Sequence, residues 1–231
     1  MDRVFTIKPE LIIFDNDGVL IDSEIIGHRV NATEMTRLGF PMTVEKSIEL
    51  LTGITKDGFD KVMLKEFGKT MSDSDVMAMV KKIEDSFPAD LKSVTGISQV
   101  MNYLEQKKIK KCIASSGANG YVVTTLTITN LVNYFKLDHI FSAPMHRGKP
   151  APDVFLNAAR TLKVEPKDCL VIEDSVIGIQ AAKAANMPVI GFLGGSHAQN
   201  PWYHDSILKA NPTLIVESAV ELLDRLKGTF Q

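Results

Sequence analysis

A short apolar run that ends in two acidic residues constrains this chain more than any other feature of its sequence. The run covers residues 11–14, and Asp15 and Asp17 follow it one residue apart. A continuous apolar run of this length, ended by polar residues and a glycine, predicts a strand buried on both faces of a parallel sheet. Ligands of such sheets bind outside the carboxyl ends of the strands, so we expect both acids at the mouth of a site.

The charges of these two acids need compensation. Two carboxylates this close repel each other unless a cation or a shared proton neutralises them. Mg²⁺ prefers hard oxygen ligands and needs only one or two carboxylates beside the phosphate oxygens of a substrate. The pair therefore suits a Mg²⁺ site, although a strand followed by a plain acidic turn remains the alternative for this segment taken alone.

Composition and charge limit the class of protein. The chain has 231 residues, 45% of them hydrophobic and 23% charged, with a formal net charge of -2. These values are typical of globular proteins, and the net charge shows no excess of basic residues that would indicate nucleic-acid binding. No apolar run is long enough to span a bilayer, and residues 1–10 lack the apolar segment of a signal peptide. We expect a cytoplasmic monomer with no nucleic-acid or membrane partner, in which Cys112 and Cys169 are reduced core residues.

Two kinds of pattern divide the chain. Residues 21–92 show helical spacing of apolar positions, many of them methionine, and no strand-like run. Before and after this segment, apolar runs that predict strands alternate with helical segments, and 137–141 is a further strand candidate. The pattern predicts an α/β fold, a Rossmann-like doubly wound parallel sheet formed by residues 1–20 plus 93–231. An all-helical cap, residues 21–92, is inserted after the first strand.

Polar residues follow other predicted strands as well. Ser115 and Ser116 follow one strand, Glu173 and Asp174 follow another, and Lys149 precedes a helix between them. At one edge of the sheet this set would supply a carboxylate nucleophile, a metal site, hydroxyl donors and a cation, as phosphoryl transfer requires. Each residue alone also has a plainer interpretation, a helix cap for Ser115 or the acids and a solvated lysine for Lys149.

In sequence order these residues resemble the four motifs of the haloacid dehalogenase superfamily. The motifs are Asp15-x-Asp17, Ser115 after its strand, Lys149 in Lys-Pro-x-Pro-Asp, and Glu173-Asp174. The stretches 22–24 and 176–178 are similar to the branch that contains β-phosphoglucomutase and 6-phosphogluconate phosphatase. Residues 94–96 depart from the pattern, since relatives often carry proline before this glycine, and we expect the site to be unaffected.

The resemblance implies roles for the acidic residues. Asp15 would attack phosphorus and form an aspartyl-phosphate, and Asp17 would act as general acid and base. Mg²⁺ would be held by Asp15, the backbone carbonyl of Asp17, and Asp174. Glu173 would be a further ligand or would lie beside the ligands.

The resemblance also implies the residues that bind the substrate. Ser115, Ser116 and Gly117 would hold the phosphoryl oxygens, and Lys149 would pair with Asp15 and the phosphoryl group. Asn119 and, in the cap, Lys56 are further substrate candidates. His197 and His204 are expected to be surface residues.

The resemblance thus implies a Mg²⁺-dependent phosphatase of a small phosphorylated metabolite, with a sugar phosphate expected. A phosphomutase of the same branch, a dehalogenase and a non-catalytic phospho-receiver are the alternatives. A dehalogenase needs neither Asp17 nor a metal, and a receiver has no need of a cap. A mutase must neutralise two phosphates, yet residues 115–120 carry no cation.

Overall fold

The structure is a computed structural model that describes residues 8–52, 54, 56–142 and 147–230, with the backbone alone at 56 and 57. The chain divides into two compact units. The described residues of Met1–Asp22 and Lys92–Gln231 form the α/β unit, and Ser23–Leu91 forms the helical unit. Free, buried Cys112 and Cys169 lie in the α/β unit, as expected of reduced core residues.

A six-stranded parallel sheet organises the α/β unit. Its strands stand in the order β3-β2-β1-β4-β5-β6, which confirms the predicted doubly wound fold. The strand bounds are β1 Leu11–Phe14, β2 Lys110–Ser115, β3 Ile140–Ser142, β4 Cys169–Glu173, β5 Val189–Phe192 and β6 Leu214–Val216. β1 lies at the centre between β2 and β4, and all four of its residues have no exposed surface. The strand order reverses at β1, where ligand sites of such sheets form.

Ten helices surround or precede these strands in the described part of the chain. The helical unit contains α1 Glu24–Arg37, α2 Val44–Leu51, α3 Lys56–Phe67 and α4 Asp73–Asp90. The α/β unit contains α5 Ile97–Gln106, α6 Asn119–Ile128, α7 Asp153–Leu162, α8 Val176–Ala184, α9 Pro201–Lys209 and α10 Ala219–Thr229. Side-chain oxygens of Ser175 and Ser218 accept hydrogen bonds from the first turns of α8 and α10, which fixes where these helices begin.

The helical unit has its own core, and methionine dominates it. Met35, Met42, Met63, Met71 and Met79 are buried there together with Phe40. Methionine fills irregular gaps between helices because its side chain is unbranched and flexible. The methionine-rich segment therefore packs into a core of its own.

One predicted strand is placed differently. Residues 137–141 were expected to form a strand, but Leu137–His139 is a 3-10 helix and the strand covers Ile140–Ser142. Leu137 is 64% exposed, and the chain enters the sheet only at Ile140.

Candidate active site

The register of the sheet brings the predicted residues to one edge. Phe14 is level with Ile113 of β2 and with Ile172 of β4. Asp15 therefore emerges beside the last residues of both neighbouring strands, and its backbone N–H donates to the carbonyl of Ile172 at 3.0 Å. The carboxyl ends of three adjacent strands thus carry Asp15, Ser115 and Glu173.

Lys149 connects three of these elements. Its Nζ donates to Asp15 Oδ1 at 2.7 Å, to Glu173 Oε1 at 2.5 Å and to the carbonyl of Ala114 at 3.2 Å. The lysine side chain is 3% exposed and the Glu173 side chain is fully buried. Since an ammonium group has three donors, this arrangement uses all of them. The solvated-lysine interpretation of Lys149 does not hold.

Burial and mutual repulsion perturb the acids. Burial raises the pKa of Asp15 well above its ordinary value; Lys149 opposes this shift, and Glu173 and Asp174 add to it. Burial likewise raises the pKa of Asp174, and repulsion from Glu173 adds to this rise. Burial alone would lower the pKa of Lys149, but Asp15 and Glu173 raise it above its ordinary value. Lys149 therefore stays charged, and its single ammonium group lies among several buried carboxyl groups whose mutual repulsion it only partly offsets.

Glu173 is held on both of its oxygens. One oxygen accepts from Lys149, and Oε2 accepts from the backbone N–H and the hydroxyl of Ser175 at 2.9 Å each. The carboxylate also packs directly on Gly178 of α8, where an added Cβ would lie 1.8 Å from Oε1. Glu173 therefore fixes Lys149 and the start of α8 in place.

The acids meet the requirements of a divalent cation with oxygen ligands. Asp15, Glu173 and Asp174 each place a carboxylate oxygen within 4.8 Å of the others, and all three are buried. A bound cation would offset the repulsion between these acids, which contributes to the raised pKa values of Asp15 and Asp174. Because both oxygens of Glu173 already have donors, Asp15 and Asp174 are the better placed ligands.

Asp17 has two hydrogen-bond donors beside it. The hydroxyl of Tyr121, on α6, donates to Asp17 Oδ1 at 2.6 Å, and the side-chain amide of Asn16 donates to Oδ2 at 3.2 Å. Both bonds fix the orientation of this carboxylate. Tyr121 was not predicted from the sequence, because one tyrosine in a helix has no local mark of function.

The remaining predicted residues lie in different settings. Ser115 is buried at the end of β2 and accepts from the backbone N–H of Gly117 at 3.0 Å, so this serine shapes the loop after the strand. Ser116 is exposed, Gly117 is half-buried, and Asn119 is exposed at the start of α6. Lys56 begins α3, but its side chain lies outside the described residues.

The surface prediction for His197 is wrong. Its side chain is buried, and Nε2 lies 3.0 Å from Asp174 Oδ2. His204 is on the surface as expected, with 41% of its side chain exposed. The glycines at 194 and 195 are the signal that could have drawn attention to His197, since they let a loop approach the site closely.

Comparison with known proteins identifies the family. A model of the haloacid dehalogenase-like hydrolases matches residues 12–192. The chain belongs to the haloacid dehalogenase-like hydrolase family. This confirms the predicted family membership and the prediction of an enzyme.

Among the helices of the described residues, none has the length and apolar character that a bilayer crossing requires.

Similar proteins cover nearly the whole chain. The 6-phosphogluconate phosphatase of Escherichia coli is 26% identical over 86% of this chain and 88% of its own length. The phosphorylated carbohydrates phosphatase of Thermotoga maritima is 27% identical over 94% and 98%. A solved haloacid dehalogenase-like protein of unknown function from Agrobacterium tumefaciens is 35% identical, with a TM-score of 0.84 over 92% and 95%.

Proposed function

We propose that this enzyme is a Mg²⁺-dependent phosphatase that hydrolyses a small phosphorylated metabolite, most simply a sugar phosphate, through an aspartyl-phosphate. The observation that carries the proposal is the position of Asp15, which lies between the Lys149 ammonium group and the neighbouring acids, with Asp17 two residues away. The phosphatase names of relatives that align over most of the chain support the reaction class.

The first chemical step would transfer the phosphoryl group to the enzyme. A carboxylate oxygen of Asp15 attacks phosphorus, an Asp15–phosphorus bond forms, and the bond from phosphorus to the ester oxygen breaks. Protonated Asp17 gives its proton to the leaving oxygen, so the product leaves as an alcohol. Ser115, the N–H groups at 116–117 and Lys149 would bind the phosphoryl oxygens, with Lys149 and Gly117 exchanging a present hydrogen bond for one to the substrate.

The second step would release phosphate. The Asp17 carboxylate takes a proton from water, whose oxygen attacks phosphorus while the bond to Asp15 breaks. Asp15 returns as a carboxylate, and inorganic phosphate leaves. Asp15, Asp174 and the backbone carbonyl of Asp17 would hold Mg²⁺, with Glu173 beside them, and the bound cation would neutralise charge on the phosphoryl oxygens.

The helical unit would be the cap that selects the substrate. It is inserted directly after the loop that carries Asp17, and Lys56 remains the proposed cap residue for a second anionic group of the substrate. Asn119 would donate a hydrogen bond to the substrate. A monomer acting in the cytoplasm completes the proposal.

Phosphate release from a panel of sugar phosphates and nucleotides, with and without Mg²⁺, tests the function. We expect Mg²⁺-dependent turnover that Asp15→Asn lowers by about 10³-fold or more, because a group that acts as part of a catalytic unit is removed. Asp138→Asn is the matched control, since this side chain is 81% exposed. Near wild-type turnover of pure, folded Asp15→Asn would exclude the mechanism.

Product analysis separates a phosphatase from a phosphomutase. The enzyme is given β-glucose 1-phosphate and a sugar bisphosphate, and both glucose 6-phosphate and free phosphate are measured. We expect phosphate release to be faster, because no cation stands at 115–120 for a second phosphate. Faster formation of glucose 6-phosphate would make the enzyme a mutase instead.

A further inference from the structure

The loop after β5 places a histidine against a carboxylate of the site. His197 lies in the 3-10 helix Ser196–Gln199, and its side chain has no exposed surface. Its Nε2 is 3.0 Å from Asp174 Oδ2. A polar ring is costly to bury unless it gains polar contacts in return, so this position calls for a reason beyond packing.

Two glycines make room for this pair of side chains. A Cβ at Gly18 would lie 1.9 Å from Asp174 Oδ2 and 2.9 Å from His197 Cε1. A Cβ at Gly195 would lie 2.8 Å from the His197 ring. Larger residues at either position would push His197 and Asp174 out of place, so two separate loops are shaped around them.

Asp174 is also held through its backbone. The hydroxyl of Tyr203, on α9, donates to the carbonyl oxygen of Asp174 at 3.1 Å. The Tyr203 ring packs edge-on against His197, with centroids 4.9 Å apart at 83°. The segment that follows β5 therefore contacts Asp174 at both its backbone and its carboxylate.

The loop that carries His197 is fixed from the other side. The backbone N–H of Ser196 donates to Asp22 Oδ1 at 2.9 Å, and its hydroxyl donates to Oδ2 of the same carboxylate. Asp22 is in turn hydrogen bonded through its N–H to the carbonyl of Lys92 at 2.9 Å. His197 is thus presented by a loop with few alternative conformations.

We infer that His197 is a positioning residue, which holds the Asp174 carboxylate in the orientation that binds the divalent cation. The inference rests on the proposed function, because only there is Asp174 a metal ligand. A carboxylate fixed in advance gives up less conformational freedom when the cation binds. Replacement of a group that orients a metal ligand in this way typically lowers metal affinity by about 10–100-fold.

Calorimetric titration of the metal-free protein with MgCl₂ tests the inference without relying on activity. His197→Phe keeps a ring against Tyr203 but removes the nitrogen, whereas His197→Gln returns a nitrogen at similar reach. We expect His197→Phe to raise the Kd for Mg²⁺ by about 10–100-fold and His197→Gln to restore most of the affinity. His204→Phe, on the surface of the same unit, should bind Mg²⁺ like the wild type.

Other results would contradict the positioning role of His197 alone, or the proposed function together with it. A wild-type Kd in His197→Phe overturns the positioning role and leaves the proposed function standing. Equal weakening in both His197 variants, with a lower melting temperature in EDTA, would mean that the ring only packs and would also overturn it. Absence of Mg²⁺ binding by the wild type, with Asp174→Ala indistinguishable from it, overturns the proposed function as well.

If neither His197 variant folds, a variant further from the site tests the positioning role of His197. Ser196→Ala removes one hydrogen bond to Asp22 and does not touch Asp174. We expect it to raise the Kd for Mg²⁺ only about three-fold, because the backbone N–H of Ser196 still donates to Asp22 and the change acts on Asp174 indirectly. An unchanged Kd would overturn the inference.

Discussion

Replacing Gly178 by alanine should strongly destabilise the α/β unit, although alanine is the better helix former. Gly178 lies within α8, where the change alone should stabilise the helix by about 1 kcal/mol. The new Cβ, however, would lie 1.8 Å from Glu173 Oε1 and 1.9 Å from its Cδ. Glu173 must therefore move by about 1.5 Å to reach an ordinary contact distance.

Such a shift is costly because Glu173 is fully buried and anchored. Its hydrogen bonds to Lys149 and to Ser175 are 2.5 and 2.9 Å long and cannot survive a movement of this size. A hydrogen bond to a charged group contributes about 1.5–3 kcal/mol. Loss of the three bonds, one from Lys149 and two from Ser175, offset by the gain of about 1 kcal/mol in helix stability, lowers the free energy of unfolding by about 3.5–8 kcal/mol.

Urea unfolding, followed by tryptophan fluorescence, measures this change in the free energy of unfolding of the α/β unit. Trp202 is the single tryptophan of the chain, and its ring lies 5.5 Å from that of Tyr203 in the α/β unit. The matched control is Gly228→Ala in α10, where a Cβ meets nothing within 4 Å and should stabilise by about 0.5–1 kcal/mol. An equal gain in stability for Gly178→Ala would refute the reasoning.

Three further changes test other parts of the site. Tyr121→Phe removes the hydroxyl that donates to Asp17 and should lower kcat about ten-fold with an unchanged melting temperature; an unchanged kcat would remove Tyr121 from the machinery. EDTA should abolish phosphate release by the wild type and Mg²⁺ should restore it, whereas full phosphate release in EDTA would contradict the proposed Mg²⁺ dependence. Lys56→Ala should lower turnover of a sugar phosphate more than that of p-nitrophenyl phosphate, since the nitrophenyl group offers Lys56 no hydroxyl or second anionic group; equal losses would argue against this role.

The fold and the acidic centre were predictable because their signals are local. An apolar run directly followed by Asp15 and Asp17 defines a buried strand and its polar end without knowledge of the rest of the chain. Glu173 follows its strand in the same way, and parallel strands bring such ends to one edge. The methionine pattern of the helical unit likewise reports a core through its spacing.

The contacts that orient the acids could not be predicted in this way. His197 reaches Asp174, and Tyr121 reaches Asp17, across loops and helices that are distant in sequence. Nothing in the immediate neighbourhood of either residue specifies that contact. The strand predicted at 137–141 begins too early for a related reason. Its local pattern does not reveal that Leu137 is exposed and lies outside the sheet.

The two chain segments that lead into and out of the helical unit are paired inside the α/β unit. Ile21 forms an antiparallel bridge with Ser93, and Val94 donates from its N–H to the carbonyl of Leu20 at 3.0 Å. These contacts close a short hairpin, outside the named strands, at the very point where the chain departs. A short turn from Asp22 to Lys92 would complete that hairpin, so a chain without the helical unit could keep this connection. Under the proposed function, replacement of that one segment would change substrate choice without rebuilding the reaction centre.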